Sequence, residues 1–374
     1  MTDGAGARRV ALVTAAGDAG GAERVMELLA ARLRRHGVTP VMCAPEDGRL
    51  IGRWQSFGFE ICALPAFGRL RRVDRGARIV AEIRRRLQSA EIDVVHSHGV
   101  AAHIHAGLAA RRLRRPAIYH VHDLVETRWS TDGALHRLAL RVPAARVIAI
   151  SQTVAASLEG RVASAKLHTV VNGVDSERVK PLAHASAPLI VWCGRLQHWK
   201  GPHHFIAAAA AVHAERPDAR FAIVGGTLFG LEPEFRDRIE RQVLDSGLSD
   251  VLLFVGHVDD ARPWLSAASV VVHSADRPEP FGLVIAEAMM QARPVAAFRQ
   301  GGAAEIVADG ETGRLVAPND TRALAAAILE MLSDPSRAQA MGAAGRLRAE
   351  RYFDADRMTA AVSAVYDAVA STHE

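Results

Sequence analysis

The sequence predicts an α/β protein made of two similar domains, each a set of parallel strands alternating with helices. Three observations carry this. Short apolar runs of four or five residues recur along the 374 residues, each followed by a glycine-rich or polar turn and then by a longer stretch with helical spacing. The alternation is interrupted once, by Lys180-Pro-Leu-Ala-His-Ala-Ser-Ala-Pro188, a segment of two prolines and small residues that reads as a linker. It then restarts at Leu189-Ile-Val-Trp-Cys193. The length suits two domains of ordinary size. We place the first at 1–183 and the second at 184–354, with a helical tail from Pro335 to Ala370.

Composition narrows the class. Hydrophobic residues make up 49% and charged residues 23%, the balance of a soluble globular protein. No run of about 18 apolar residues exists, so no transmembrane helix is expected. Met1 to Arg9 lacks the apolar core of a signal peptide. Cys43, Cys62 and Cys193 are scattered without a CxxC pair, which argues against a disulfide framework or a zinc site and for a reducing, cytoplasmic compartment. Residues 1–183 carry 28 Lys/Arg against 17 Asp/Glu, and the remainder 18 against 24. A basic first half suits an anionic surface or acceptor, and it equally suits a solvated, Arg-rich exterior.

In the first domain, Val10-Ala-Leu-Val-Thr14 is a strand followed by a glycine turn through Gly20 and Gly21. A helix then opens, with Val25, Leu28, Leu29 and Leu33 on one face. This is the opening unit of a Rossmann-like domain, but the turn is not G-x-G-x-x-G, so a dinucleotide site is poorly supported. Pro40–Ala44 and Glu60–Leu64 are the next strands. Between Gly68 and Gln88 lies a basic segment holding Arg69, Arg71, Arg72, Arg75, Arg78, Arg84, Arg85 and Arg86. Leu70, Val73, Ile79, Ile83 and Leu87 make its second half an amphipathic helix. The bland reading packs that helix on the sheet with a solvated basic face; the sharper one brings Arg69–Arg86 to an anionic membrane surface. Nucleic acid is disfavoured, since no aromatics interleave with the arginines. Ile92–His96 is a strand, with Ser97, His98 and Gly99 in a ligand-facing loop after it, and a helix follows from about Ala101 to Leu113. Pro116–His122 and Arg146–Ile150 continue the pattern, and Leu167–Val171 leads into Asn172-Gly173-Val174-Asp175.

In the second domain, the strand Leu189–Cys193 runs into Gly194-Arg195-Leu196, then Lys200-Gly201, with Pro202 at the start of a helix reaching about Arg216. A guanidinium and an ammonium five residues apart at a helix mouth suit a diphosphate. Arg220–Val224 ends in Gly225-Gly226, and Val251–Val255 precedes Gly256-His257-Val258. Asp259-Asp260 follows without a partner. Ser269–His273 is a buried strand, and after it comes Arg277-Pro-Glu279-Pro-Phe-Gly282-Leu-Val-Ile-Ala-Glu287-Ala-Met289. Glu279 lies in the turn and Glu287 inside the helix, flanking exposed backbone amides beside Gly282. One carboxylate at each end of a row of amides suits a ligand with hydroxyls at both ends and phosphates between, the shape of a nucleotide-sugar. Val295–Phe298, Gly301-Gly302-Ala-Ala-Glu305 and Asp309–Gly313 close the pattern.

These motifs, in this order, resemble those of the retaining glycosyltransferases of family 4. The resemblance spans nearly the whole chain and is strongest from Gly194 to Gly313. It implies the GT-B architecture: two Rossmann-like domains facing each other across a cleft, the last helix, 355–374, crossing back to the first. It implies transfer of a sugar from a nucleotide-diphosphate sugar to a sugar, lipid-linked or small-molecule acceptor, with no cofactor and no catalytic metal. Gly20 and Gly21 would approach from the first domain, and His122 would deliver an imidazole to the reacting sugar. Arg195 and Lys200 would neutralise the departing diphosphate. Glu279 and the amides of Pro280, Phe281, Gly282 and Leu283 would hold the sugar, Glu287 the ribose, and Gly194, Gly225, His257 and Val258 the rest of the nucleotide. Ala292 departs from the family, which places glycine there. A nucleotide-sugar epimerase or a phosphorylase-like enzyme of the same architecture remain as alternatives, and the sugar, base and acceptor stay open.

Overall fold

A computed structural model describes residues 7–67, 73–125, 131–180, 182, 187–227 and 233–370. The chain divides into two compact units, one of 1–173 with 355–374 and one of 174–354. Arg69, Arg71, Arg72 and most of the linker after Lys180 lie outside the described residues.

The first unit is built on a parallel sheet of β1 (Arg8–Thr14), β2 (Val38–Pro45), β3 (Glu60–Leu64), β4 (Val94–His98), β5 (Ala117–Val121), β6 (Arg146–Ala149) and β7 (Leu167–Thr169). Their order is β3-β2-β1-β4-β5-β6-β7. Val10 to Val13 are buried without alternation, as expected of a strand covered on both faces. The helix Val73–Ser89 puts Ile79, Ile83 and Leu87 into the core and leaves Arg78, Arg84 and Arg85 exposed. Glu82 accepts from Arg85 Nε (2.9 Å) and Arg86 Nε (2.9 Å). The helix Ala355–Ala370 returns to this unit, with Arg32 Nε on the helix Gly21–Leu33 donating to Asp356 at 2.8 Å.

Where sequence spacing predicts one helix over 101–113, the structure has a π-helical segment, His103–Gly107, between short α-helical pieces. His103 is buried there, stacked on Tyr119 with ring centroids 4.2 Å apart and its Nδ1 2.8 Å from Ser97 Oγ. A widened turn is what such an inserted side chain requires.

The second unit repeats the plan with β8 (Leu189–Cys193), β9 (Arg220–Val224), β10 (Leu252–Gly256), β11 (Val270–His273), β12 (Val295–Phe298) and β13 (Gly313–Val316). The order is β10-β9-β8-β11-β12-β13, all parallel. Its core gathers Ile190, Trp192, Phe205, Phe221, Val272 and Phe298. Residues 174–180, read from the sequence as the end of the first domain, belong here. Val174 bridges to Asp354, Val179 N–H donates to Gln291 Oε1 (3.1 Å), and Arg346 donates to the Ser176 carbonyl (2.8 Å). Asp260 is not without a partner, because it accepts from Arg262 Nη2 at 2.9 Å. In both sheets the strand order reverses at the first strand, between β1 and β4 and between β8 and β11. Ligands of open α/β sheets bind at the carboxyl ends of strands beside such a reversal.

Ala292 follows the helix Leu283–Met290 in the left-handed region, φ +57°. A Cβ in that conformation costs on the order of 1 kcal/mol, which glycine avoids. Ala292→Gly is therefore expected to raise the urea midpoint, by up to about 1 kcal/mol in stability. An unchanged or lower midpoint would show that the strain is already relieved by neighbouring shifts.

Candidate functional site

At the carboxyl edge of the second sheet three glycine turns interlock. Gly194 N–H donates to the Val224 carbonyl (2.9 Å), Leu196 N–H to Gly226 (3.0 Å) and Gly225 N–H to Gly256 (2.8 Å). Gly225 has φ +133°, and a Cβ there would lie 1.9 Å from the Gly194 oxygen, so glycine is obligatory. Val258 follows half-buried and His257 exposed, beyond this bare backbone floor.

Across the strand-order reversal, the turn after β8 locks onto the loop after β11. Gly201 (φ +70°) approaches so closely that a Cβ would sit 1.7 Å from the Ser274 oxygen. Ser274 Oγ donates back to the Gly201 carbonyl (2.7 Å), and Asp276 N–H donates to the Trp199 carbonyl (2.9 Å). This junction brings Lys200 to Glu279. The ammonium pairs with Glu279 Oε1, and His273 Nε2 lies 2.5 Å from Oε2. The three side chains are 15%, 13% and 8% exposed, so the group is almost dry. Burial alone would push the Glu279 carboxyl up, but Lys200 and His273 outweigh it and hold it well below the usual carboxylate range. Trp199 lies under Lys200, with Nζ 4.3 Å from the ring centroid.

Behind this loop, Gly302 N–H donates to the Glu279 carbonyl (2.8 Å), and a Cβ on Gly302 would fall 1.9 Å from the Phe281 oxygen. The Gly301-Gly302 pair thus exists to let one backbone rest on another. Gly282, at φ +105°, opens the helix Leu283–Met290 with no side-chain cap, so its first amides are available to an anion. Glu287 lies half-buried in the second turn. The half-buried Arg195 makes no ion pair among the described residues. The second unit therefore gathers Gly194, Lys200, Gly225 and the run Glu279, Pro280, Phe281, Gly282 and Leu283 at one sheet edge. His273 was passed over in the sequence, although its place as the last residue of a buried strand is the signal that singled out His122.

On the first unit, Gly20 caps the helix Gly21–Leu33, and Glu23 closes the turn: its Oε2 accepts from Gly20 N–H (2.9 Å) and its Oε1 from Thr14 Oγ1 (2.7 Å). Gly21 is the exposed first helical residue. His122 stands just past β5, its Nε2 2.9 Å from His98 Nδ1. His98 is itself buried at the end of β4, not in a loop as the sequence predicts, because the strand runs two residues further. His96 and His120 complete a stacked group, with His96 Nε2 3.1 Å from His120 Nδ1 and His96 Nδ1 2.7 Å from Tyr366 OH. Burial pushes His96 and His122 down to about 3 and takes His98 and His120 well below the usual range, so the four are neutral imidazoles.

Two family profiles match the chain: Glycosyltransferase Family 4 over residues 19–178 and Glycosyl transferases group 1 over 174–348. A lipopolysaccharide core biosynthesis mannosyltransferase, LpcC of Rhizobium leguminosarum bv. viciae, is 32% identical over 213 residues, 54% of this chain and 60% of that protein. The chain thus spans about 60% of the length of that relative. A D-inositol 3-phosphate glycosyltransferase of Streptomyces scabiei is 31% identical over 317 residues, 75% of this chain and 69% of its own. Among solved structures, Anabaena HepE in complex with UDP and glucose superposes with a TM-score of 0.84 at 26% identity, covering 96% of this chain and 99% of its own.

The histidine group makes the first unit sensitive to acid. Unfolded, these imidazoles take up protons at about pH 6.5; folded, His96 and His122 do so only at about 3. Protons therefore favour the unfolded chain in that window. Stability is complete above it and falls as the pH drops, by about 1.4 kcal/mol per pH unit for each such group. Urea midpoints measured from about pH 7 down to about pH 5 should decline, and His120→Gln should flatten the decline. A flat wild-type profile would mean that the imidazoles protonate as if exposed.

Proposed function

The chain belongs to the family 4, group 1 glycosyltransferases and has their GT-B fold, and from that premise we propose that it transfers a sugar from a nucleotide-diphosphate sugar to an acceptor hydroxyl with retention of configuration. The observation that carries this reading is the Lys200–Glu279–His273 group at the open helix mouth. An ionised carboxylate only accepts hydrogen bonds, so Glu279 is suited to sugar hydroxyls. Lys200 and Arg195 are suited to the diphosphate, which would replace Glu279 as the partner of the ammonium. As the bond between the anomeric carbon and the β-phosphate oxygen breaks, the phosphate gains negative charge. Lys200, Arg195 and the amides from Phe281 to Leu283 would stabilise that charge most in the transition state. The acceptor oxygen attacks from the face the phosphate leaves, and its proton passes to the departing phosphate oxygen. Glu287 would take the ribose hydroxyls. His122 would supply a neutral hydrogen-bonding imidazole from the first unit. The UDP and glucose held by HepE and the sugar-transferase names of the curated relatives support this donor class, and the lipopolysaccharide enzyme supports a glycan or lipid-linked acceptor.

Calorimetric titration of UDP, GDP, ADP and their sugar conjugates is the test. One nucleotide should bind in the micromolar range, with Lys200→Ala and Glu287→Ala both abolishing the signal. Lys200→Ala should also lower kcat/KM by roughly 10²–10³. If no nucleotide bound to the wild-type protein, the reading would be wrong.

We further infer that the helix Val73–Ser89 can meet an anionic surface through Arg78 and Arg84, the exposed arginines that Glu82 does not hold. No described helix is long and apolar enough to cross a membrane. Sedimentation with vesicles containing anionic lipid at low salt should retain the protein and lose it on Arg78→Glu/Arg84→Glu. Equal retention of the double variant would remove this helix as the contact.

A further inference from the structure

A second cluster of ligating side chains lies beside the Lys200–Glu279 junction, and the proposed reaction gives it no role. His198 is on the turn His198–Lys200, His203 and His204 are in the first turn of the helix Pro202–Glu215, and Asp276 is on the loop after β11. Three imidazoles converge on the one carboxylate. His198 Nδ1 is 3.1 Å from Asp276 Oδ2, while His204 Nε2 and His203 Nε2 are 3.0 Å and 3.5 Å from Oδ1. Despite these neighbours, Oδ1 is buried without a properly directed hydrogen bond among the described residues. Three imidazole nitrogens gathered on one carboxylate make the kind of donor set that a divalent transition metal takes.

The dimensions agree. Zinc bonds imidazole nitrogen and carboxylate oxygen at about 2.0–2.1 Å, which places tetrahedral ligands about 3.3 Å apart. One ligand atom from each of His198, His203 and Asp276 lies within 4.8 Å of the others, so a modest contraction completes the set. His198, the most exposed of the group at 59%, has the freedom to supply it. Thr321 Oγ1, 3.1 Å from His204 Nδ1, fixes the orientation of the neighbouring ring. Imidazole with carboxylate selects zinc, cobalt or nickel over magnesium or calcium. The histidines of the first unit are a weaker candidate, since His96 Nε2 pairs with His120 Nδ1, His98 Nδ1 with His122 Nε2 and His96 Nδ1 with Tyr366 OH.

We propose that His198, His203 and Asp276 bind a divalent transition metal of the zinc class, with His204 flanking the carboxylate and water completing the tetrahedron. The metal would tie the turn at His198 to the loop at Asp276, which already touch through Trp199 and Ser274. It would act as a brace on the segments that carry Lys200 and Glu279, and it takes no part in bond breaking.

The test uses the full chain without a polyhistidine tag, stripped with chelator and titrated with cobalt(II) and then with zinc. One equivalent of cobalt should give the intense visible absorption of a tetrahedral site, zinc should displace it, and the thermal midpoint should rise on binding. His198→Gln/His203→Gln should abolish the absorption and the shift, whereas His36→Gln should keep both. The site is disproved if no absorption develops at stoichiometric cobalt, or if the double variant binds as the wild type does. Neither readout depends on sugar transfer, so a failure here would leave the donor reading intact, and the reverse holds as well.

Discussion

An ionised carboxylate kept nearly dry between an ammonium and an imidazole is the constraint around which the second unit is arranged. Removing two charges from water costs several kcal/mol for each ion, and only close opposite charges offset it. Glu279 has both Lys200 and His273 within contact. For that to happen, the turn after β8 and the loop after β11 must be held in register. The close backbone approach of Gly201, the Asp276 amide and the short, buried Ser274 hydroxyl do this, with no reliance on long, flexible side chains. A dry ion pair of this kind stabilises little by itself. What it does is hold the two side chains at a fixed separation.

Backbone proximity explains much of the composition around the site. Gly201, Gly225 and Gly302 each face a carbonyl oxygen at a distance where any Cβ would collide. Glycine at these positions follows from packing, independent of any ligand. The ligand-facing consequence comes afterwards, because a floor of bare backbone exposes amides and carbonyls that side chains would otherwise cover.

Much of this was legible in the sequence, and for identifiable reasons. Strands buried on both faces leave continuous apolar runs such as Val10–Val13 and Val270–Val272, and the turns after β8 and β9 carry Gly201 and Gly225, where close contact demands glycine. The family resemblance implies Lys200 and Glu279 as site residues, while their direct pairing is a tertiary contact. Features set by tertiary contact were not readable. β13 is four residues opened by a glycine, too short and too mixed to stand out. His98 reads as loop because polar residues at a strand end look solvated, yet it is buried within a stack of imidazoles. The π-helical turn at His103 depends on Tyr119 and Ser97, residues from other strands. His273 has a strand-end position legible in the sequence, but its contact with Glu279 is set by the tertiary fold.

The helix Ala355–Ala370 belongs to the first unit, although the whole of 174–354 precedes it in the chain. During synthesis the first sheet is therefore complete in sequence long before it is complete in structure. At about 5–20 residues per second, the ribosome takes roughly ten to forty seconds to make the intervening unit. Throughout that interval His96 lacks Tyr366 and Arg32 lacks Asp356. The surface that the last helix will cover stays open to chaperones or to a neighbouring nascent chain. The second unit, continuous in sequence, has no such wait and can close as soon as Asp354 emerges to pair with Val174. The order in which the halves mature is thus the reverse of the order in which they begin.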